Sequence, residues 1–245
     1  MLSRDEYEKI HQLCQESPQA LEVQKLLRRE NQLQLSMVSH EVRNPVTLIN
    51  SFLQLMASTH PEVKAFPYWN DVMENMEFLR SLLAQLSEYN NAQKLNRSEV
   101  NLYHILRSFT ESMASALSSQ NITITFRKEG PIPPFLLDSS KIRQVFLNLV
   151  RNAAEAMDGR GGTIIITLSA DFDTATIRIR DDGPGIPAEY QSSIFDFFVT
   201  HKKDGTGLGL AIARSTVEAH GGTIGVSSIE GQGAEFIIRL PIVYE

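Results

Sequence analysis

The chain has 245 residues, 42% of them apolar and 21% charged, and carries a formal charge of −6. This length allows two modest domains with separate cores, and this composition belongs to globular proteins rather than to disordered or fibrous ones. The acidic balance weighs against a nucleic-acid partner, which calls for clustered Lys and Arg, and the longest apolar runs (residues 145–150 and 164–166) are far too short to span a bilayer.

Residues 1–33 lack the basic start and apolar stretch of a signal peptide. The expectation is a helical lead-in, in a chain with no membrane segment. Cys14 is the one cysteine, so no internal disulfide framework can form, which fits a reducing cytoplasm. Gly130 is the first of 14 glycines, and the others fall between Gly159 and Gly233. The glycine-free part reads as helices, and the rest as strands, turns and loops. The two architectures join near residues 94–100, where KLNRSE is polar and aperiodic.

Two segments carry a 3-4 apolar spacing. Leu35, Val38, Val42, Pro45, Ile49, Phe52 and Met56 form the first seam, and Trp69, Val72, Met76, Leu79, Leu83 and Leu86 the second. Upstream of Leu35 the pattern weakens, with Arg28 and Asn31 at seam positions. STHPEVKAFP, between the two, reads as the turn. Two helices with one narrow seam each bury little alone, so a dimer of hairpins, a four-helix bundle, is the economical arrangement.

His40 lies about 160° from Val38 and from Val42 at about 100° per residue, away from the seam. Ser36, Arg43, Asn44 and Thr47 share its face, which is wholly polar. Glu41 follows directly, close enough to orient the imidazole. Pro45 removes the helical bond to the Glu41 carbonyl and should bend or loosen the helix. Such a histidine taken singly is usually a solvated surface residue, so the other half must decide.

In that half, Asp138 is placed to cap a helix running through KIRQVFLNLVRNAAEAM. Val145, Leu149 and Ala153 are its apolar stripe. Asn148 and Asn152 stack at i, i+4 on a neighbouring face, where their amide oxygens suit a hydrated cation. Two strand-like segments follow, GGTIIITLSA and TATIRIR, the second entering DDGPGIP. Asp181 at the strand end can accept from an exocyclic amine, while Gly183 and Gly185 let backbone approach a ligand closely. After a mixed stretch over residues 188–204 that reads as a lid, Gly205, Thr206, Gly207, Leu208 and Gly209 form a loop opening a helix near Leu208. Such a loop offers free N–H groups to phosphates, and Lys202 lies just upstream. Neither G-x-G-x-x-G nor G-x-x-x-x-G-K-[ST] occurs, which disfavours the two commonest nucleotide folds.

Taken together, SHEVRNP, NLVRNAAEAM, DDGPGIP, IFDFFVTHK and GTGLGLAIA resemble, in that order, the phosphoacceptor, N, G1, F and G2 boxes of two-component sensor histidine kinases. The resemblance covers residues 33–240. It implies an α+β protein: a helical hairpin forming a dimeric four-helix bundle, then an α/β sandwich of the Bergerat (GHKL) type. The domains implied are a lead-in over 1–33, a dimerisation and phosphotransfer domain over 34–97, and an ATP-binding domain over 98–245. By motif, His40 is the phosphoacceptor, Glu41 its activator and Asn44 the residue directing water in the reverse, phosphatase reaction. Asn152 resembles the Mg²⁺ ligand, with Asn148 beside it. Asp181 resembles the adenine-reading carboxylate, and Lys202 and residues 205–209 the phosphate contacts, with Phe195 and Phe198 as lid packing. The implied cofactors are ATP and Mg²⁺, and the implied partners a second copy of the chain and a response-regulator receiver domain, in the cytoplasm. Glu155, Phe197 and Val199 depart from the common pattern, and Ala234 replaces a common Thr. Competing readings are an ATPase of the chaperone or topoisomerase type, a serine kinase acting on an anti-sigma partner, and a silent phosphotransfer or scaffold module. Asn148, where the ATPases carry a glutamate base, counts against the first; SHEVRNP against the second; intact nucleotide boxes against the third.

Overall fold

Ser17 accepts a hydrogen bond from the Ala20 N–H at 3.3 Å and Pro18 follows at the first helical position, so a helix starts here for reasons readable in three residues. The computed structural model describes residues 17–157, 159–200, 202 and 205–244. Cys14 and the first 16 residues of the lead-in lie outside them, and the side chains of Arg28 and Asn31 are likewise outside the description. Contacts divide the chain into two compact units, Met1–Asn90 and Asn91–Glu245.

In the first unit, α1 spans Pro18–Thr59. It runs through Pro45 without a break and ends before Pro61, which disfavours helical backbone at His60. A 3-10 turn, Pro61–Ala65, with Val63 buried, leads to α2, Trp69–Asn91. The two helices meet through Val46, Leu53, Met76 and Leu83. Of the first expected seam, by contrast, Val38, Val42, Ile49, Phe52 and Met56 stay 41–57% exposed, and Val72 and Leu79 of the second 44% and 39%. The apolar face of α1 is therefore wider than one seam: one edge closes the hairpin, and the other stays exposed among the described residues. Among the described residues, no helix is long and apolar enough to cross a membrane.

The second unit opens with β1, Ser98–Val100, and α3, Leu102–Ser118, capped by Asn101, whose Oδ1 accepts from the Tyr103 N–H at 3.0 Å. Next come β2, Ile122–Glu129; β3, Phe135–Leu137; and α4, Ser139–Ala156. The hairpin β4, Gly162–Ala170, and β5, Thr174–Asp181, precedes a short α5, Ala188–Gln191. Helix α6, Gly209–Ala219, and strands β6, Thr223–Ser228, and β7, Ala234–Pro241, complete it. Five strands form a mixed sheet in the order β2-β4-β5-β7-β6; β2 and β4 are parallel, the other pairs antiparallel. A two-stranded ladder joins β1 to β3. Burial alternates along β5 and β7, so one face of the sheet carries the core under α3, α4 and α6. The glycine-free stretch is thus not helical throughout, since β1 and β2 lie within it. Asn121, at φ +58°, supplies the left-handed turn into β2 that glycine would otherwise provide.

Asp138 caps α4 as expected, accepting from the Lys141 N–H at 3.1 Å and the Ser140 hydroxyl at 2.7 Å, while its second oxygen accepts from the Asn96 N–H at 2.9 Å. Its own N–H donates to Nε2 of buried His220 at 3.0 Å. Nε2 must therefore be bare, and Nδ1 carries the proton, 2.8 Å from the Thr216 carbonyl. Burial lowers the His220 pKa below 6.5, with Arg97 adding to it and the Thr216 carbonyl acting against it. Because the folded value lies below the unfolded one, the stabilisation is complete above about pH 6.5 and fades as pH falls below it, where the unfolded chain binds the extra proton. Urea melts between pH 5 and 7.5 should show a steeper loss of stability on acidification in the wild type than in His220→Gln; parallel curves would show that His220 does not titrate as its contacts require.

Candidate functional site

Asp181 is the last residue of β5 and is 5% exposed. Its Oδ1 accepts from the Gly183 N–H at 3.0 Å and the Ala234 N–H at 3.3 Å. Burial raises its pKa, the two N–H groups oppose the rise, and the Asp182 charge adds to it; the net shift is upward. The backbone around it is close-packed. Gly233, at φ +86°, would bring a Cβ within 2.0 Å of the Asp181 carbonyl oxygen, and a Cβ on Gly185 would meet the Ile229 carbonyl at 2.3 Å. Asp182 turns the other way, its Oδ1 accepting from the Thr163 N–H at 2.7 Å.

Helix α4 buries Val145, Leu149 and Ala153 against the sheet and leaves Asn148 and Asn152 half-buried on a neighbouring face. Asn148 donates through Nδ2 to the Gly209 carbonyl at 3.1 Å and so ties the helix to the start of α6. Asn152 presents Oδ1 to the Lys202 ammonium at 3.1 Å. The same ammonium lies 2.6 Å from Glu155 Oε2, while Arg151 Nε lies 2.6 Å from Oε1. Burial pushes the Glu155 carboxyl up, but the two cations outweigh it and hold it below its usual range. The Glu155 contact was not anticipated; its signal was the i, i+4 spacing from Arg151 and i, i+3 from Asn152.

Residues 205–209 approach this face at Asn148. Lys202 is fixed by its N–H on the Thr200 hydroxyl at 3.2 Å and by its carbonyl, which accepts from Gly205 at 3.3 Å. The Leu208 N–H meets the Thr206 hydroxyl at 3.4 Å, and Leu208 itself is fully buried at the start of α6. Gly207, at φ +67°, backs onto Phe198, where a Cβ would come within 2.5 Å of its carbonyl carbon. Phe198 also has positive φ, +58°, and is 49% exposed, whereas Phe195 is buried edge-on against Phe236. Gln191 anchors the stretch, its Nε2 donating to the carbonyls of Ile186 and Ser228 at 2.8 and 2.9 Å. His201, Lys203 and Asp204 lie outside the described residues.

In the first unit, His40, Glu41 and Asn44 are all exposed on α1. His40 Nδ1 faces Arg43 Nη1 at 3.5 Å, and Arg43 Nη2 donates to the Leu83 carbonyl of α2 at 3.1 Å. The ring's hydrogen-bonding neighbour is thus Arg43 rather than Glu41.

Residues 137–243 match the family of histidine kinase-, DNA gyrase B- and HSP90-like ATPases. The catalytic domain of histidine kinase ThkA is 33% identical, with a TM-score of 0.56 over 61% of this chain and 97% of that one. This chain belongs to the histidine kinase family. Full-length ShkA in complex with AMPPNP gives a TM-score of 0.73 at 29% identity, over 86% of this chain and 46% of that one. ThkA in complex with the response regulator protein TrrA gives 0.63 at 28% identity, over 91% of this chain and 66% of that one. The signal transduction histidine-protein kinase AtoS of Escherichia coli (strain K12) is 31% identical over 205 residues, covering 84% of this chain but 34% of AtoS. The chain therefore spans only about a third of the length of that curated relative. The α+β architecture of the histidine kinases accounts for both units: a helical region, then the sheet domain that carries Asp181, Asn152 and the glycine loop.

Gly207→Ala tests the packing of this loop. A side chain there faces both the positive φ and the Phe198 backbone, so stability should fall by about 1–3 kcal/mol. Proteolytic cleavage within residues 198–205 should accelerate. A stable variant with unchanged cleavage would mean that the loop does not press on Phe198.

Proposed function

We propose that this chain is an ATP-dependent protein histidine kinase that phosphorylates its own His40 and passes the phosphoryl group to an aspartate of a response-regulator receiver domain. The observation that carries the reading is the division of labour between the units. One gathers a buried carboxylate, a pair of amides, a lysine and a glycine loop; the other presents an exposed imidazole. Asn148 is tied to Gly209 and is no base, and Glu155 is held by two cations, so neither is suited to activate water. The nucleophile must come from outside the nucleotide site, which favours histidine over an ATPase of the chaperone or topoisomerase type.

In this scheme residues 98–245 bind ATP and residues 34–97 dimerise and carry phosphate, with 1–33 as lead-in. The exposed stripe of Val38, Val42, Ile49, Phe52 and Met56 is covered by a second copy, completing a four-helix bundle. Both backbone donors to Asp181 fall on Oδ1, which leaves its other oxygen for the exocyclic amine of adenine. The residues also suit Mg²⁺, since Asn152 already holds a cation, the Lys202 ammonium, on the amide oxygen. Asn152, with Asn148 beside it, would hold the metal, which supplies charge neutralisation at the transferring phosphate. Gly183, Gly185 and residues 205–209 give backbone room for the nucleotide, and Lys202 turns to its phosphates.

The chemistry is a displacement. A lone pair on an imidazole nitrogen of His40 forms the N–P bond, and the bond from phosphorus to the bridging oxygen breaks with ADP as leaving group. The attacking nitrogen must be unprotonated, so that its lone pair is free to form the bond. Glu41 serves by accepting a hydrogen bond from the other ring nitrogen, which fixes the tautomer. The setting is the cytoplasm, where ATP and receiver domains are found together.

His40→Gln should abolish incorporation of label from γ-labelled ATP while leaving ATP affinity near that of the wild type. Label persisting on that variant in an acid-labile, alkali-stable form would place the acceptor elsewhere.

Asn44 lies one turn beyond His40 and is exposed on α1. It is available to hold a water against a phosphoaspartate docked over His40. Asn44→Ala should keep most autophosphorylation and lose most dephosphorylation of the cognate phospho-regulator; equal losses in the two rates would remove the phosphatase role.

A further inference from the structure

The position of Lys202 bears on how metal and nucleotide enter together. Its ammonium bridges two oxygens of α4, the neutral Oδ1 of Asn152 at 3.1 Å and the anionic Oε2 of Glu155 at 2.6 Å. A neutral amide and a carboxylate one helical turn apart form an all-oxygen donor pair of the type hard divalent cations take. Arg151, on Oε1, holds the carboxylate in place from the far side. The Lys202 backbone is itself pinned, by Thr200 and by Gly205, so the ammonium can leave through side-chain rotation alone.

A divalent cation on Asn152 and an ammonium on the same oxygen repel each other, so one must give way. If Lys202 swings to the phosphates, Glu155 is left facing the triphosphate. With a divalent cation present, it gains a second cation to replace the ammonium. With no cation, a carboxylate held by Arg151 alone confronts several phosphate charges. We propose that Glu155 is a specificity-determining residue of the nucleotide site: it exchanges the Lys202 ammonium for the divalent cation that arrives with ATP, and thereby selects metal-loaded ATP over free ATP. This rests on the reading of the second unit as an ATP site. It deepens that reading by giving a role to the one position of the N box where the chain carries a carboxylate in place of a basic or aromatic residue.

The test is the affinity of the full chain for ATP, measured by calorimetry in excess Mg²⁺ and in excess EDTA. The quantity read is the ratio of the two dissociation constants. Relative to the wild type, Glu155→Gln should narrow that ratio by up to about fivefold, the scale of a partly exposed charge pair. Weaker binding with Mg²⁺ and tighter binding without it should both contribute. Glu155→Lys should narrow it further, giving a graded series that does not depend on a single variant. Glu155 is partly exposed, and unchanged unfolding midpoints of the variants would show that the fold is kept. If both variants shift the two affinities in the same direction and by the same factor, Glu155 acts only through the placement of Lys202 and the proposal fails. A wild-type chain that binds no ATP in either condition would instead sink the nucleotide-site reading, and this proposal with it.

Discussion

The site depends on a carboxylate placed where a carboxylate is hard to keep. Asp181 closes β5 inside the core layer, 5% exposed, with two backbone N–H groups on one of its oxygens. A buried carboxylate without adequate donors costs several kcal/mol, so the chain around it must present N–H groups at fixed positions. That requirement explains the glycines better than flexibility does. Gly233 has to pass within van der Waals contact of the Asp181 carbonyl, and Gly183 has to turn its N–H back onto the side chain. The end of β7 and the loop after β5 are therefore shaped by one charge.

Helix α4 then sets the distance between that charge and the rest of the site. Its core face is pinned by Val145, Leu149 and Ala153, all nearly or fully buried, so the opposite edge cannot rotate. Asn148 uses the fixed edge to hold the start of α6, and Asn152 uses it to hold Lys202. One rigid helix thus aligns the glycine loop and the cation position, which is the arrangement that phosphate positioning needs. The first unit works under the opposite rule. Its hairpin closes on four side chains and leaves the larger part of its apolar face uncovered. It has too little core to be rigid alone.

Much of the second unit was legible because its signals are local. The Asp138 cap, the 3.6-residue stripe of α4, the β4–β5 hairpin and the helix beginning after Leu208 each follow from a few adjacent residues. Strand β2 was read as helix, because Asn121 replaces the glycine that would have marked the turn and β2 pairs with a strand some forty residues away. The same limit applied to the site. Asp181, Asn152 and the glycine loop announce themselves by spacing, whereas the Lys202–Glu155 contact joins positions 47 residues apart and depends on tertiary placement. For His40 the polar face was evident, yet its actual neighbour is Arg43, whose reach to the Leu83 carbonyl depends on the second helix.

The central claim is that Asp181 is the group that reads adenine. Competition of ATP and GTP for the wild-type chain and for Asp181→Asn tests it most directly. The account predicts that the substitution weakens ATP by about 1.5–3 kcal/mol, as expected for a lost charged hydrogen bond, and largely erases the preference over GTP. Equal losses for the two nucleotides, or no loss at all, would contradict it.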